Sequence, residues 1–141
     1  MTVTMQILSG GLILALCSLV HLCILTGAVR LLRLLGEDSG KPYGLRIVKL
    51  MGTGLAAAVS AHIIQVWMWA AMFVVTETLP DFSEAVYFSL ATYTTLGYGD
   101  VVVGKGVRIF AAMAAVTGLL NFGLSTAFLV GIYSRLMRDG R

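Results

Sequence analysis

The chain has 141 residues, of which 58% are hydrophobic and only 12% charged, with a mean hydropathy of +0.91. Soluble domains carry about a quarter charged residues, so that class is excluded. Ten basic against seven acidic side chains leave a net charge of +3, too small a surplus to imply a nucleic-acid partner.

Three apolar stretches, 7–29, 50–76 and 107–134, are long enough to cross a bilayer as helices, which takes about 20 residues. The first is not a secretory signal: no lysine or arginine precedes Arg30, so the charged leading region is missing. Arg30 and Arg33 instead close the run as a stop-transfer pair, giving an N-terminal transmembrane helix within 1–35. His21 in this stretch and His62 in the second both fall near mid-membrane. Antiparallel packing could bring them together, with Gln65 three residues after His62 on the same face. Two readings stay open. Neutral histidines could satisfy each other or Gln65 between helices, or the pair could sense protons or ligate a metal or haem. Cys17 and Cys23, six residues apart on one helix, point in different directions and read as free thiols. Trp67 and Trp69 read as packing or lipid contacts.

Residues 36–44 form a polar, breaker-rich turn inside a linker expected at 36–49. A second helix is expected at 50–78, ended by Pro80. Asp81 with Glu84 three residues on has the form of a helix N-cap. The apolar segment 82–93 that follows is too short to span a membrane and suits a re-entrant helix.

Residues 94–100 then read Thr-Thr-Leu-Gly-Tyr-Gly-Asp. Glycine adopts backbone angles that other residues resist, so Gly97 and Gly99 let a short extended segment aim consecutive carbonyls one way. A ring of such carbonyls replaces the water shell of a dehydrated cation. The segment sits between a short and a long apolar helix, where a pore loop belongs, so the residues themselves point to an ion-conducting pore. Unpaired carbonyls lining a membrane pore must surround an axis, which requires more than one copy of the loop. Gly104 and Gly106 bracket the turn into the last helix, expected at 107–134, with a short tail at 135–141.

Charge orients the whole. With 30–49 and the tail on the cytoplasmic side, eight of the ten basic residues lie inside, as the positive-inside rule requires. The N-terminus is then outside and the C-terminus cytoplasmic. Glu77, Asp81, Glu84 and Asp100 make a mildly acidic outer mouth.

From Asp81 to about Tyr133 the chain resembles the pore domain of potassium channels: pore helix, filter, outer turn and inner helix. Leu96 stands where most members have valine. The run from Val116 to Ala127 also places its glycines, phenylalanine and threonine in the order of bacterial two-helix members. With one helix added, the chain is similar to small prokaryotic ion channels, which implies a plasma-membrane location. The resemblance implies an all-α homotetramer, set among membrane lipids, with a pore domain at 50–134. It would have no enzymatic activity and no cofactor beyond permeating K+. Potassium would bind at Thr95, Leu96, Gly97 and Tyr98, with Gly99 completing the filter and Asp100 at its outer mouth. Tyr87, Phe88 and Thr94 would support the filter, with Tyr98 turned toward Tyr87 and Phe88. Leu119, Phe122, Thr126 and Val130 match the cavity stripe, and Gly118 and Gly123 are gating-hinge candidates, unless both serve packing. Asn121 either lines the cavity or, with Gly118 and Ser125, meets a neighbouring subunit; the contact reading is preferred.

One departure concerns the back of the filter. Some bacterial members pair the filter aspartate with a pore-helix glutamate, but the matching position here is Ala91, leaving Tyr87 as a donor. No helix carries arginine at every third position, so a voltage sensor of the usual kind is not expected. With few residues after the inner helix, a ligand-binding domain is not expected there. A weakly selective cation channel, a potassium-transporter subunit and a metal or haem protein using His21 and His62 are the alternatives.

Overall fold

The computed structural model describes residues 1–36 and 43–139. Four helices make up the fold: α1 (Val3–Gly36), α2 (Tyr43–Val75), α3 (Phe82–Tyr93) and α4 (Arg108–Asp139), the last entered through one 3-10 turn at Lys105–Val107. Helices α1, α2 and α4 are long and apolar enough to cross a membrane. α3 matches the expected re-entrant segment to the residue.

The long helices overrun their apolar stretches. α2 begins at Tyr43, so residues 43–49, expected in a linker, are helical. At about 1.5 Å per residue, 32 to 34 residues reach well past a hydrocarbon core of about 30 Å. Lysine, arginine and leucine are good helix formers, so the chain has no reason to unwind where the membrane ends. The remainder of the expected turn, 37–42, lies outside the described residues, as do 140–141 of the tail.

α2 stops at Val75, before the expected 78 and well before Pro80. The Thr76 hydroxyl turns back to the Met72 carbonyl (2.7 Å), and Glu77 takes a left-handed φ of 52°. The amides of Thr78 and Leu79 then close on the Phe73 carbonyl. This is a helix end of the left-handed type, made without glycine. The cap on α3 forms as the residue types require: Asp81 accepts from the Glu84 amide at 2.8 Å, a device worth about 1 kcal/mol.

Trp69 and Phe73 of α2, Phe88 of α3 and Phe110 of α4 pack as one aromatic cluster, with ring centroids 5.2 to 5.9 Å apart. It fixes α3 between α2 and α4. Trp67, by contrast, is exposed. α1 packs along both α2 and α4. Its Gln6 is buried, and the Gln6 Oε1 accepts from the amides of Ile109 (3.0 Å) and Phe110 (3.3 Å). Those first-turn amides have no partner inside α4. The first helix therefore caps the last.

Candidate functional site

The loop after α3 departs from ordinary backbone in a regular way. Thr95, Gly97 and Gly99 have φ of 60°, 54° and 80°, whereas Leu96 and Tyr98 between them do not have positive φ. Alternating hands cancel the twist of the chain, so successive carbonyls face the same side instead of spiralling. Glycine carries this freely at 97 and 99. Thr95 carries it against the preference of a β-branched residue, and such strain persists only where the surroundings hold it.

The surroundings do hold it. The last carbonyls of α3 reach into the loop: Thr92 accepts from Thr95, and Ala91 accepts from both Leu96 (2.9 Å) and Gly97 (3.1 Å). The Thr94 hydroxyl closes on the Leu90 carbonyl at 2.8 Å. At the outer end, the Tyr87 hydroxyl donates to Asp100 Oδ2 at 2.5 Å. That bond holds the Asp100 carboxyl below its ordinary range and pushes the Tyr87 phenol above its own. Asp100 thus takes a tyrosine where the missing glutamate of the Ala91 position would have paired.

One of the expected filter supports acts differently. Phe88 turns its ring edge-on to Phe73 and serves the aromatic cluster. Tyr98 is 70% exposed. With Tyr87, Phe88 and Ala91 it borders a cavity of about 210 Å³ behind the loop. An alanine at 91 is too small to fill that space.

On α4, Leu119, Phe122, Thr126 and Val130 are all exposed, along the side turned away from α1. Phe122 also lays its ring on His62, with centroids 4.3 Å apart. Gly118 has a packing reason: a Cβ there would overlap the Tyr93 carbonyl oxygen at the end of α3. Gly123 faces open space.

The largest correction concerns Asn121 and its neighbours. Asn121 and Ser125 line neither a cavity nor a subunit surface; both are buried within the chain, because α1 covers that face of α4. There they join the two histidines in a closed circuit. Gln65 Nε2 meets His21 Nδ1 at 2.7 Å, His21 Nε2 meets Ser125 Oγ at 3.0 Å, and Ser125 Oγ meets His62 Nε2 at 3.0 Å. His62 Nδ1 meets the Tyr93 hydroxyl at 2.8 Å, which donates to Gln65 Oε1 at 2.6 Å. All four helices contribute.

The direction of every proton in the circuit can be assigned. Asn121 Nδ2 donates to the Thr117 carbonyl at 3.0 Å, so this end of Asn121 must be the nitrogen. It also donates to Gln65 Oε1 at 2.9 Å, which fixes the Gln65 amide. Gln65 Nε2 then donates to His21 Nδ1, so His21 carries its proton on Nε2 and donates to Ser125. Ser125 donates to His62 Nε2, and His62 donates from Nδ1 to Tyr93. Both histidines are neutral in this arrangement, and a second proton on either would set donor against donor.

The contacts that the first reading of the histidines calls for are formed, through Gln65, Ser125 and Tyr93. All four ring nitrogens are engaged, so neither imidazole offers a free lone pair to a metal or haem iron. No cluster of three or more metal-ligating side chains occurs among the described residues. Trp69, read as a packing or lipid contact, packs in the aromatic cluster. Tyr93 was the participant missed from sequence. Its signal was a phenol at a buried helix position, which needs a polar partner. Both cysteines are free, Cys17 buried and Cys23 exposed.

Comparison with known proteins agrees with the geometry. The family described as "Ion channel" matches residues 51–135. The chain is 34% identical over 74 residues to the Potassium channel AKT2/3 of Arabidopsis thaliana, covering 46% of this chain and 9% of that protein. It is 37% identical over 57 residues to the Voltage-gated potassium channel Kch of Escherichia coli (strain K12), covering 40% and 13%. The chain therefore spans about a tenth of the length of these relatives. No solved structure matches significantly.

Proposed function

This chain belongs to the ion-channel family, with the pore domain of potassium channels, and from that premise we propose that it conducts K+ selectively and passively across a membrane. The observation that carries the proposal is the alternation of left-handed backbone at Thr95, Gly97 and Gly99 within Thr-Leu-Gly-Tyr-Gly. The carbonyls of Thr95, Leu96, Gly97 and Tyr98, with the Thr95 hydroxyl innermost, would form the stacked oxygen sites, and Asp100 would stand at the outer mouth.

One chain supplies one wall of such a filter. Four copies around an axis complete it, with the exposed stripe of Leu119, Phe122, Thr126 and Val130 lining the inner cavity. Basic residues at the α1–α2 end and at the α4 C-terminus support a cytoplasmic placement for that side, with the filter outward. Of the two hinge candidates, Gly123 is the freer to bend, since Gly118 is wedged against Tyr93.

Flux into liposomes from the purified protein tests this directly. Potassium uptake should far exceed sodium uptake and be blocked by barium; equal uptake would defeat the selective reading. The cavity behind the loop at Ala91 favours a second reading, a cation channel of poor selectivity, because an unfilled space lets the filter flex. Filling it with Ala91→Val separates the two: selectivity should rise on the second reading and stay unchanged on the first.

A further inference from the structure

At the membrane face opposite the filter, the C-terminal ends of α1 and α4 and the N-terminal end of α2 enclose a cavity of about 630 Å³. That volume lies within the range of sites that bury small molecules. Its lining is mostly apolar, with Leu50, Phe128 and Leu136 among it, and includes three arginines, Arg33, Arg46 and Arg135. Each arginine comes from a different helix. No acidic side chain lines the cavity among the described residues.

The position of the cavity matters as much as its lining. The apolar stretches of α1, α2 and α4 give way here to basic residues, so the site straddles the boundary between hydrocarbon and headgroups. A purely topological role for the arginines needs only that they lie beyond the membrane. It does not need them gathered from three helices around one apolar cavity. We propose that this cavity is a binding site for one anionic phospholipid per chain, its phosphate on the three guanidiniums and an acyl chain against Phe128 and Leu50. Guanidinium matches phosphate geometry with paired donors, and basic pockets between transmembrane helices suit anionic headgroups. α1 supplies one wall and one arginine, so the added helix creates the site. The binding does not depend on the channel reading.

The test uses the full chain purified in a neutral detergent and titrated with phosphatidylglycerol or phosphatidylcholine of matched acyl chains. Native mass spectrometry reads stoichiometry, and thermal unfolding reads affinity. Phosphatidylglycerol should bind at one per chain and raise the unfolding temperature, while phosphatidylcholine and inorganic phosphate do neither. Arg33→Gln/Arg46→Gln/Arg135→Gln should weaken binding by about tenfold or more. Arg30→Gln/Arg138→Gln, which also removes basic charge at this face but outside the cavity, should leave binding nearly intact. Gly131 lines the cavity with open space beside it. Gly131→Phe should therefore exclude the lipid with all three arginines in place, which keeps the test decisive if the triple variant fails to fold. Equal binding of both lipids, an equal effect of phosphate alone, or equal loss in the Arg30/Arg138 variant would overturn the proposal.

Discussion

The filter loop and the histidine circuit lie at the two ends of one residue pair. Tyr93 belongs to the circuit, Thr94 begins the loop, and the peptide between them joins two opposite kinds of site. The circuit is made within one chain: six side chains from four helices, every bridging proton assignable, five of them buried and His62 half-buried. The loop is the opposite, with residues 94–100 all exposed. Polar groups can be left open in a membrane only where they line a pore. The closed site therefore braces the open one. It also explains why α1 is more than an appendage, since His21 ties it to Gln65 of α2 and Ser125 of α4, and Gln6 ties it to the start of α4.

The sharpest way to break this comparison is at Gly118, where α4 touches the Tyr93 carbonyl. Gly118→Ala should cost about 3 kcal/mol of stability by forcing α4 off the end of α3. Gly123→Ala, facing open space, should gain up to about 1 kcal/mol from helix propensity. Thermal unfolding of both variants measures the contrast. Similar losses in the two would mean that the close approach is unimportant.

Gln65→Leu comes next. It removes the side chain that accepts from both Tyr93 and Asn121 and donates to His21, and should lower stability by about 2 kcal/mol. Leu96→Val, in the open loop, should change stability by less than about 0.5 kcal/mol while leaving potassium conduction in place. Tyr93→Phe removes a single hydroxyl and should cost about 1 kcal/mol, the scale of one hydrogen bond between membrane helices. The combination of Tyr93→Phe with Gln65→Leu should then cost less than the sum of the two, since both break the same bond.

The smallest effect is electrostatic. Asp100 has its carboxyl held down by the Tyr87 hydroxyl. The contact therefore stabilises above the ordinary carboxylate range and is lost as pH falls through the lowered value. Tyr87→Phe should return Asp100 upward toward that range, read by carbon NMR titration. No movement would show that the bond is not formed in the membrane.

The legible parts of this molecule were those carried by contiguous residues. Apolar length announced three crossings, the brevity of 82–93 announced the re-entrant helix, and Gly97 and Gly99 announced their own backbone. Thr95 was hidden, because a threonine with positive φ follows from what α3 imposes and not from what threonine prefers. The circuit was half visible. His21, His62 and Gln65 stood out as polar groups in apolar runs, yet Asn121 was turned the wrong way, since its face on α4 looked free until α1 was laid over it. The circuit joins residues as far as 104 positions apart, Ser125 with His21, and that assembly is a property of packing, not of pattern. The helix ends were misjudged for a simpler reason: apolar length measures the membrane, whereas helix length is set by propensity and caps.

Carbonyl carbon NMR of the protein in lipid, in potassium and then in sodium, sets the two regions against each other in one sample. The Leu96, Gly97 and Tyr98 carbonyl signals should shift on exchange of the ion, while the ring nitrogens of His21 and His62 keep the neutral signatures of the closed circuit. Filter carbonyls indifferent to the ion would contradict the account.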